Sequence, residues 1–323
     1  MKNTLTAVNP IGGYIELQLP TKNEYYPSLK KLNTGRNSLE YILKVKGYTR
    51  IYLPYFTCEV LLEPIKKLKI DFEFYHIDNN LDPVIDFEIG SNECFVYNNY
   101  FGLKQQTVTM LSKVIPNLIV DNSQAFFSAP LEGVDTFYSC RKFFGVPDGS
   151  YLSINSETQI SLEEDNSTGR FSHLIKSINC GIEAGYADYV KNNEVLMNNS
   201  IKKMSLLTER LLSAINYREC KARRNSNFKF LNKMLEKHNE LGVQFKNING
   251  PMAYPLLISK PGLREKLIQQ KIFIPTFWPN VFDWTSTEMF ENHLAKNLLP
   301  IPVDHRYDTN DMKHVVNTII NFL

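Results

Sequence analysis

Lys142 stands in a setting that few surface lysines share. Tyr138-Ser139-Cys140-Arg141 precede it, Phe143-Phe144 follow, and Gly145-Val146-Pro147-Asp148-Gly149-Ser150 turn the chain away. Desolvation by such neighbours lowers an amine's pKa and frees its lone pair to bond a carbonyl carbon. A lysine taken alone is ordinarily a solvated charge, so the setting gains meaning from what comes before it. Asp121 closes the apolar run Leu118-Ile119-Val120 and is followed by Asn122-Ser123-Gln124-Ala125. A carboxylate at the end of a buried strand lies where open α/β sheets bind ligands. It calls for a cationic partner there; the plainer alternative is an aspartate that starts a turn. Farther upstream, Thr34-Gly35-Arg36-Asn37-Ser38-Leu39 opens a helix with small polar residues. The free N–H groups and dipole of a helix start attract phosphate, although the same residues also serve as an ordinary cap.

The order of these segments matters more than any one of them. A phosphate cup, a carboxylate after a strand and a lysine about twenty residues later are the parts that pyridoxal phosphate (PLP) requires. Its phosphate must be anchored, its ring nitrogen neutralised and its aldehyde captured.

Elements capable of positioning those residues are legible around them. Leu39, Ile42 and Leu43 share one face of a helix after Gly35, and Leu61, Ile65 and Leu68 mark a second helix. Strand patterns fall at Ile51-Tyr52-Leu53, at Ile70, Phe72 and Phe74, at Cys94-Phe95-Val96-Tyr97, at Leu118-Ile119-Val120, at Thr136-Phe137-Tyr138 and at Tyr151-Leu152-Ile154. This alternation predicts an α/β fold with a mostly parallel sheet. Beyond residue 155 a polar, acidic stretch reads as an excursion from the sheet, followed by one long helix through Met204, Leu207, Leu211 and Ile215. The run Lys221-Ala222-Arg223-Arg224 reads as a solvated helix face. Met312, Val315, Val316, Ile319, Ile320 and Leu323 predict a final helix capped by Asp308 or Thr309. We expect a large domain over residues 1–215 and a smaller α+β unit over 216–323.

Composition narrows the classes of function. The 323 residues are 43% hydrophobic and 22% charged with a formal charge of +2, a globular balance with no basic stripe for nucleic acid. The start, MKNTLTAVNPIGGY, lacks the apolar core of a signal peptide, and no apolar run approaches the ~18 residues of a membrane span. Five widely spaced cysteines and six scattered histidines form neither a disulfide framework nor a zinc motif. A cytoplasmic chain without a metal or membrane role is expected.

In its chemical segments the sequence resembles the DegT/DnrJ/StrS family of sugar aminotransferases, which are fold-type I PLP enzymes. The family's D-x-x-Q-A element matches Asp121, Gln124 and Ala125; its S-G-T-x-A-L element matches Thr34 to Leu39; its lysine and G-E-G-G turn match Lys142 and Pro147-Asp148-Gly149-Ser150. Ile11-Gly12-Gly13, Pro54-Tyr55-Phe56-Thr57, Tyr100-Phe101-Gly102 and Leu299-Pro300-Ile301-Pro302-Val303 are weaker matches, so the resemblance runs from about residue 10 to the end. It implies that Lys142 holds PLP as a Schiff base and shuttles the substrate proton. It also implies that Asp121 pairs with the ring nitrogen, that Gln124 bonds the phenolic oxygen, and that the backbone of Gly35 and Arg36 holds the phosphate.

Three departures stand out. The family's S-F-H before the lysine is replaced, which makes Ser139 the candidate phosphate hydroxyl. The position of the stacking ring aligns with Cys58, leaving Phe56 or Tyr55 to supply a ring. The N-x-R-M element survives loosely around Lys203-Met204-Ser205. The implied activity is transfer of an amino group from glutamate to a nucleotide-linked keto-sugar by a homodimer. Family members that dehydrate sugars can carry histidine in place of the lysine, so Lys142 favours transamination over that rival. A non-catalytic descendant that binds a sugar or a protein is the rival of another class. A nicotinamide oxidoreductase is disfavoured because no G-x-G-x-x-G follows the first strand.

Overall fold

The computed structural model describes residues 11–323; the amino-terminal stretch read above for a leader begins outside them. Strands β1 (Lys30–Leu32), β2 (Arg50–Pro54), β3 (Asp71–Tyr75), β4 (Glu93–Asn98), β5 (Leu118–Asp121), β6 (Asp135–Phe137) and β7 (Ser150–Ser153) form one sheet. Its order is β1-β7-β6-β5-β4-β2-β3. The run from β6 to β3 is parallel, and β7 is antiparallel to both of its neighbours.

The central strands are buried on both faces, with side chains alternating between two cores. Ile51, Leu53, Cys94, Val96 and Ile119 pack with Leu39, Ile42 and Leu43 of helix α1 (Gly35–Lys46) and Ile65 of α2 (Leu62–Leu68). Tyr52, Phe95, Tyr97, Leu118 and Val120 face the other way, onto Val108 and Leu111 of α3 (Gln105–Leu111).

Between β7 and the C-terminal region the chain departs from expectation. Residues 172–196 contain α4 (Ser172–Cys180) and α5 (Tyr186–Leu196), which the polar texture of that region concealed. The long helix expected through Met204, Leu207, Leu211 and Ile215 is the shorter α6 (Leu206–Ser213), and a separate helix, α7 (Tyr217–Leu235), carries the run Lys221-Ala222-Arg223-Arg224. Ser205 caps the first by accepting from the Thr208 N–H, so Met204 lies outside it. Asn216 starts the second by accepting from the Glu219 N–H, and a side chain that satisfies an orphan N–H favours a fresh helix start at that point.

The last elements are β8 (Ala253–Leu257), α8 (Leu263–Gln269), α9 (Val281–Trp284), α10 (Phe290–Asn297), β9 (Leu298–Pro302) and α11 (Thr309–Phe322). β8 and β9 pair antiparallel. Their core joins Leu256 and Ile301 to Leu231 of α7, Leu267 of α8 and Val316 of α11. Asp308 and Asp311 form a capping box at the start of α11. Residues 216–323 do not close on themselves, however. Val281 of α9 and Leu294 and Ala295 of α10 belong to the core under β2, β4 and β5, because the large sheet has an apolar face left to cover there.

Candidate active site

Parallel strands deliver their carboxyl ends to one edge of the sheet, and the chemistry gathers on that edge. Asn98, Asp121 and Phe137, the last residues of β4, β5 and β6, are neighbours in register. Chain order reverses between β2 and β4, and at such a switch point the loops part to leave a crevice. The residues after β2, including Cys58, follow the strand at this switch point.

Asp121 is half-buried. Its Oδ1 accepts the Ser123 N–H at 2.7 Å, which turns the chain sharply after the strand. Burial pushes its carboxyl above the ordinary aspartate range, against the charge of Lys142 and the bonds from Ser123, which hold it down. Asp121 starts a turn through its bond from the Ser123 N–H.

Gln124 lies within the turn, 4% exposed. The Phe101 N–H donates to its Oε1 at 2.8 Å, which fixes the amide orientation and leaves Nε2 as a buried donor with no protein partner. An unpaired buried donor is costly, and an acceptor on a bound ligand would satisfy it.

The start of α1 reaches this turn from the other side. A Cβ placed on Gly35 would lie 3.4 Å from Ser123 Oγ and 3.5 Å from the Tyr138 carbonyl, so the helix start abuts the segments after β5 and β6. Thr34 accepts the Asn37 N–H, which leaves the N–H groups of Gly35 and Arg36 without an intrahelical partner. The Arg36 guanidinium is committed to Glu63, so Arg36 can offer an anion its backbone alone.

Lys142 ends a single 3₁₀ turn, Cys140–Lys142, and its side chain is exposed. The loop that carries it is tied at its base: the Cys140 N–H donates to the Gly149 carbonyl at 3.0 Å, and the Gly149 N–H to the Asn33 carbonyl at 2.6 Å. Gly149 takes φ +114°, and a Cβ there would stand 2.9 Å from Thr208 Cγ2. That position accepts only glycine, and the PDGS turn thereby docks against the residue before Thr34. Ser139 is partly buried and its hydroxyl does not cap the turn.

The aromatic candidates fare differently. Phe56 is 0% exposed and packs edge-on to Trp278 at 5.0 Å. It is a core residue with no ring face to offer a ligand, because the apolar side of the sheet claims it. Tyr55 stacks on Phe74 at 5.0 Å, over the outermost strand. Cys58, by contrast, feels the charges of Lys142, Arg36 and Asp121; burial raises its thiol, and Lys142 is the larger of the two cations opposing that rise. Cys58 stands where alignment with the family puts a stacking ring.

Asp121, Gln124, Gly35, Arg36, Cys58 and Lys142 are thus brought to one end of the sheet. The orphaned amide of Gln124 and the uncommitted N–H groups of α1 are donors that the phenolic oxygen and phosphate of PLP would use, and the Asp121 carboxylate is an acceptor that its protonated ring nitrogen would use.

No protein-family model and no curated protein sequence matches the chain. Solved structures do match. The sugar aminotransferase CalS13 from Micromonospora echinospora superposes with a TM-score of 0.65 at 16% identity, over 92% of this chain and 88% of that one. A DegT DnrJ EryC1 StrS aminotransferase from Brucella abortus gives 0.62 at 12% identity, over 91% and 85%. NtdA from Bacillus subtilis, solved with bound cofactor PMP, gives 0.64 at 12% identity, over 91% and 73%.

The chain has the fold of these sugar aminotransferases. It is the α/β fold expected from the sequence, with a mostly parallel seven-stranded sheet flanked by helices. The likeness runs through both the large sheet and the C-terminal elements, since it covers 91% of the chain or more in all three.

Proposed function

We propose that the protein is a cytoplasmic, homodimeric, PLP-dependent aminotransferase that moves an amino group from glutamate to a keto-sugar carried on a nucleotide. The observation that carries this reading is the gathering of Asp121, the unpaired Nε2 of Gln124 and the start of α1 at the carboxyl end of the sheet. The shared fold with sugar aminotransferases supports it. When bound, PLP supplies an electron-withdrawing ring that stabilises negative charge on the substrate carbon.

The chain's own residues do the rest. Lys142 would hold the cofactor through Nζ and would carry a proton to and from the substrate carbon. Asp121 keeps the ring nitrogen protonated, as an adjacent opposite charge favours the charged form. Gln124 donates Nε2 to the phenolic oxygen. The N–H groups of Gly35 and Arg36, with the Ser139 hydroxyl, hold the phosphate at the positive end of α1. The domain division proposed between residues 215 and 216 would precede α7 (Tyr217–Leu235).

Adding glutamate to the PLP-loaded protein should change the cofactor's absorption and release 2-oxoglutarate. If no amino acid does so while PLP remains attached to Lys142, a dehydrating reaction on the same scaffold becomes the better reading.

The dimer has its own support. Ile178, Ile182, Tyr186, Val195 and Met197 are exposed along α4 and α5 and the turn between them, and a run of exposed apolar side chains of this extent marks an association surface. Sedimentation at micromolar concentration is expected to show twice the chain mass. A monomer that binds PLP normally would exclude the dimer.

A further inference from the structure

The loop that carries Lys142 is tied by its own main chain at Cys140 and Gly149, but the residue next to the lysine is held from elsewhere. Among the described residues the Phe143 carbonyl accepts no main-chain N–H. It accepts Arg224 Nη2 at 3.3 Å instead, and the same guanidinium lies 4.5 Å from the centroid of the Phe143 ring. One group thus holds both the carbonyl and the side chain of the residue that follows Lys142.

Arg224 belongs to α7 and is 1% exposed. Its Nη1 donates to the Pro251 and Met252 carbonyls at 3.1 and 3.3 Å. Its acceptors among the described residues are therefore main-chain carbonyls of two separate segments. Burying a guanidinium is costly unless its donors are met. A planar fork with donors in fixed directions is suited to holding two segments at a set spacing.

The second of these segments is fixed against the turn that carries Gln124. Asn249 Nδ2 donates to the Phe127 carbonyl at 2.8 Å, and the Met252 N–H to the Phe101 carbonyl at 2.9 Å. Phe101 is also the residue whose N–H orients the Gln124 amide. Gly250 takes φ +64°, and a Cβ there would stand 2.3 Å from Phe127 Cδ2, so the approach admits only glycine. Phe143 meets the same turn from the other side, its ring 5.7 Å from that of Phe126 and 6.0 Å from that of Phe127. Arg224 therefore sits where the lysine loop and the Gln124 turn are set against each other.

We propose that Arg224 is a positioning residue for Lys142: through Phe143 its fork fixes the lysine loop in place against the turn that carries Asp121 and Gln124. The proposal rests on the reading of Lys142 as the cofactor lysine. Arg224 itself touches neither cofactor nor substrate in this role.

The test compares Arg224→Lys, which keeps the charge and loses the planar fork, with Arg224→Gln and with Asn225→Ala. Asn225 Oδ1 accepts the Gly250 N–H at 2.6 Å, so the last variant loosens the same segment without touching Phe143. Capture of PLP by Lys142 is followed by borohydride trapping and peptide mapping, and the reaction with glutamate by absorption. Both Arg224 variants should capture PLP and react with glutamate about ten- to a hundredfold more slowly, because a misplacement of about 1 Å can cost about 10²-fold. The glutamate concentration giving half the maximal rate should stay as in wild type, and Asn225→Ala should capture PLP at the wild-type rate.

Arg224 variants that fold and capture PLP as fast as wild type overturn the proposal. So does a loss matched by Asn225→Ala, which would make Arg224 a structural support for residues 249–252 alone. If neither Arg224 variant folds, Phe143→Leu decides, since it keeps the carbonyl and removes the ring beneath the guanidinium; capture at the wild-type rate then overturns the proposal. Wild-type protein that captures PLP on Lys142 but forms no 2-oxoglutarate from glutamate sinks the aminotransferase reading alone, because the comparison of capture rates still decides the role of Arg224.

Discussion

The Lys142→Ala protein is expected to fold normally and to lose transamination by about 10³-fold or more, since a positioned acid–base group alone contributes about 10²–10⁴-fold. The fold should survive because the side chain is exposed and makes no hydrogen bond or ion pair among the described residues. Substitutions of that kind usually move stability by about ±0.5 kcal/mol. The loop does not depend on the lysine for its shape: it is held at Cys140, Gly149 and Asn33 through the backbone. In the unaltered protein, borohydride reduction followed by peptide mapping should place a phosphopyridoxyl mass on Lys142. A label on another lysine overturns the alignment from which the other site assignments follow. A melting temperature far below wild type in Lys142→Ala would instead make this lysine structural.

Asp121→Ala is the second large effect. A carboxylate beside the ring nitrogen shifts the balance toward the protonated ring by ~1–3 pKa units, each worth ~1.4 kcal/mol. Each such increment off a barrier is about tenfold in rate, so roughly two orders of magnitude or more should be lost. Asp121 also accepts the Ser123 N–H at 2.7 Å, and alanine removes that acceptor. Asp121→Asn keeps an oxygen for Ser123 and removes the charge, so it separates the two roles. Rates that fall equally in Asn and Ala, with the melting temperature kept in Asn, identify the charge as the working feature. Asp121→Glu should lose less than either if its carboxylate reaches the nitrogen. A variant with near-normal turnover and a much lower melting point would remove Asp121 from the active site and leave it a turn residue.

How far the sequence reveals this arrangement depends on which residues are read. Strands β2, β4 and β5 are legible as near-continuous apolar runs because both of their faces are buried, whereas β3, at the edge of the sheet, shows itself by alternation. The helix at Thr309–Phe322 is legible from one apolar stripe and a capping aspartate. Helices α4 and α5 are not, because Ile178, Tyr186 and Val195 point to solvent in the single chain. Their pattern answers a surface to which no described residue is packed. Phe56 shows that an aromatic residue in a matching motif is not thereby available: the core under the sheet takes it first.

Arg224 is the sharpest case. Within Lys221-Ala222-Arg223-Arg224 it reads as one more solvated charge, yet it falls on the buried stripe with Cys220, Phe228, Leu231 and Leu235. That four-residue spacing was the available signal. Its guanidinium proves to be among the most buried polar groups of the chain.

That burial has a mechanical side. Arg224 grows from α7, whose later turns belong to the C-terminal core, and its guanidinium grips the Pro251 and Met252 carbonyls on the approach to β8. With its other end it holds the Phe143 carbonyl and lies 4.5 Å over the Phe143 ring. Phe143 is the residue next to Lys142. Any hinge movement of the C-terminal elements against the large sheet is therefore transmitted, through one rigid planar group, to the peptide that carries the amine.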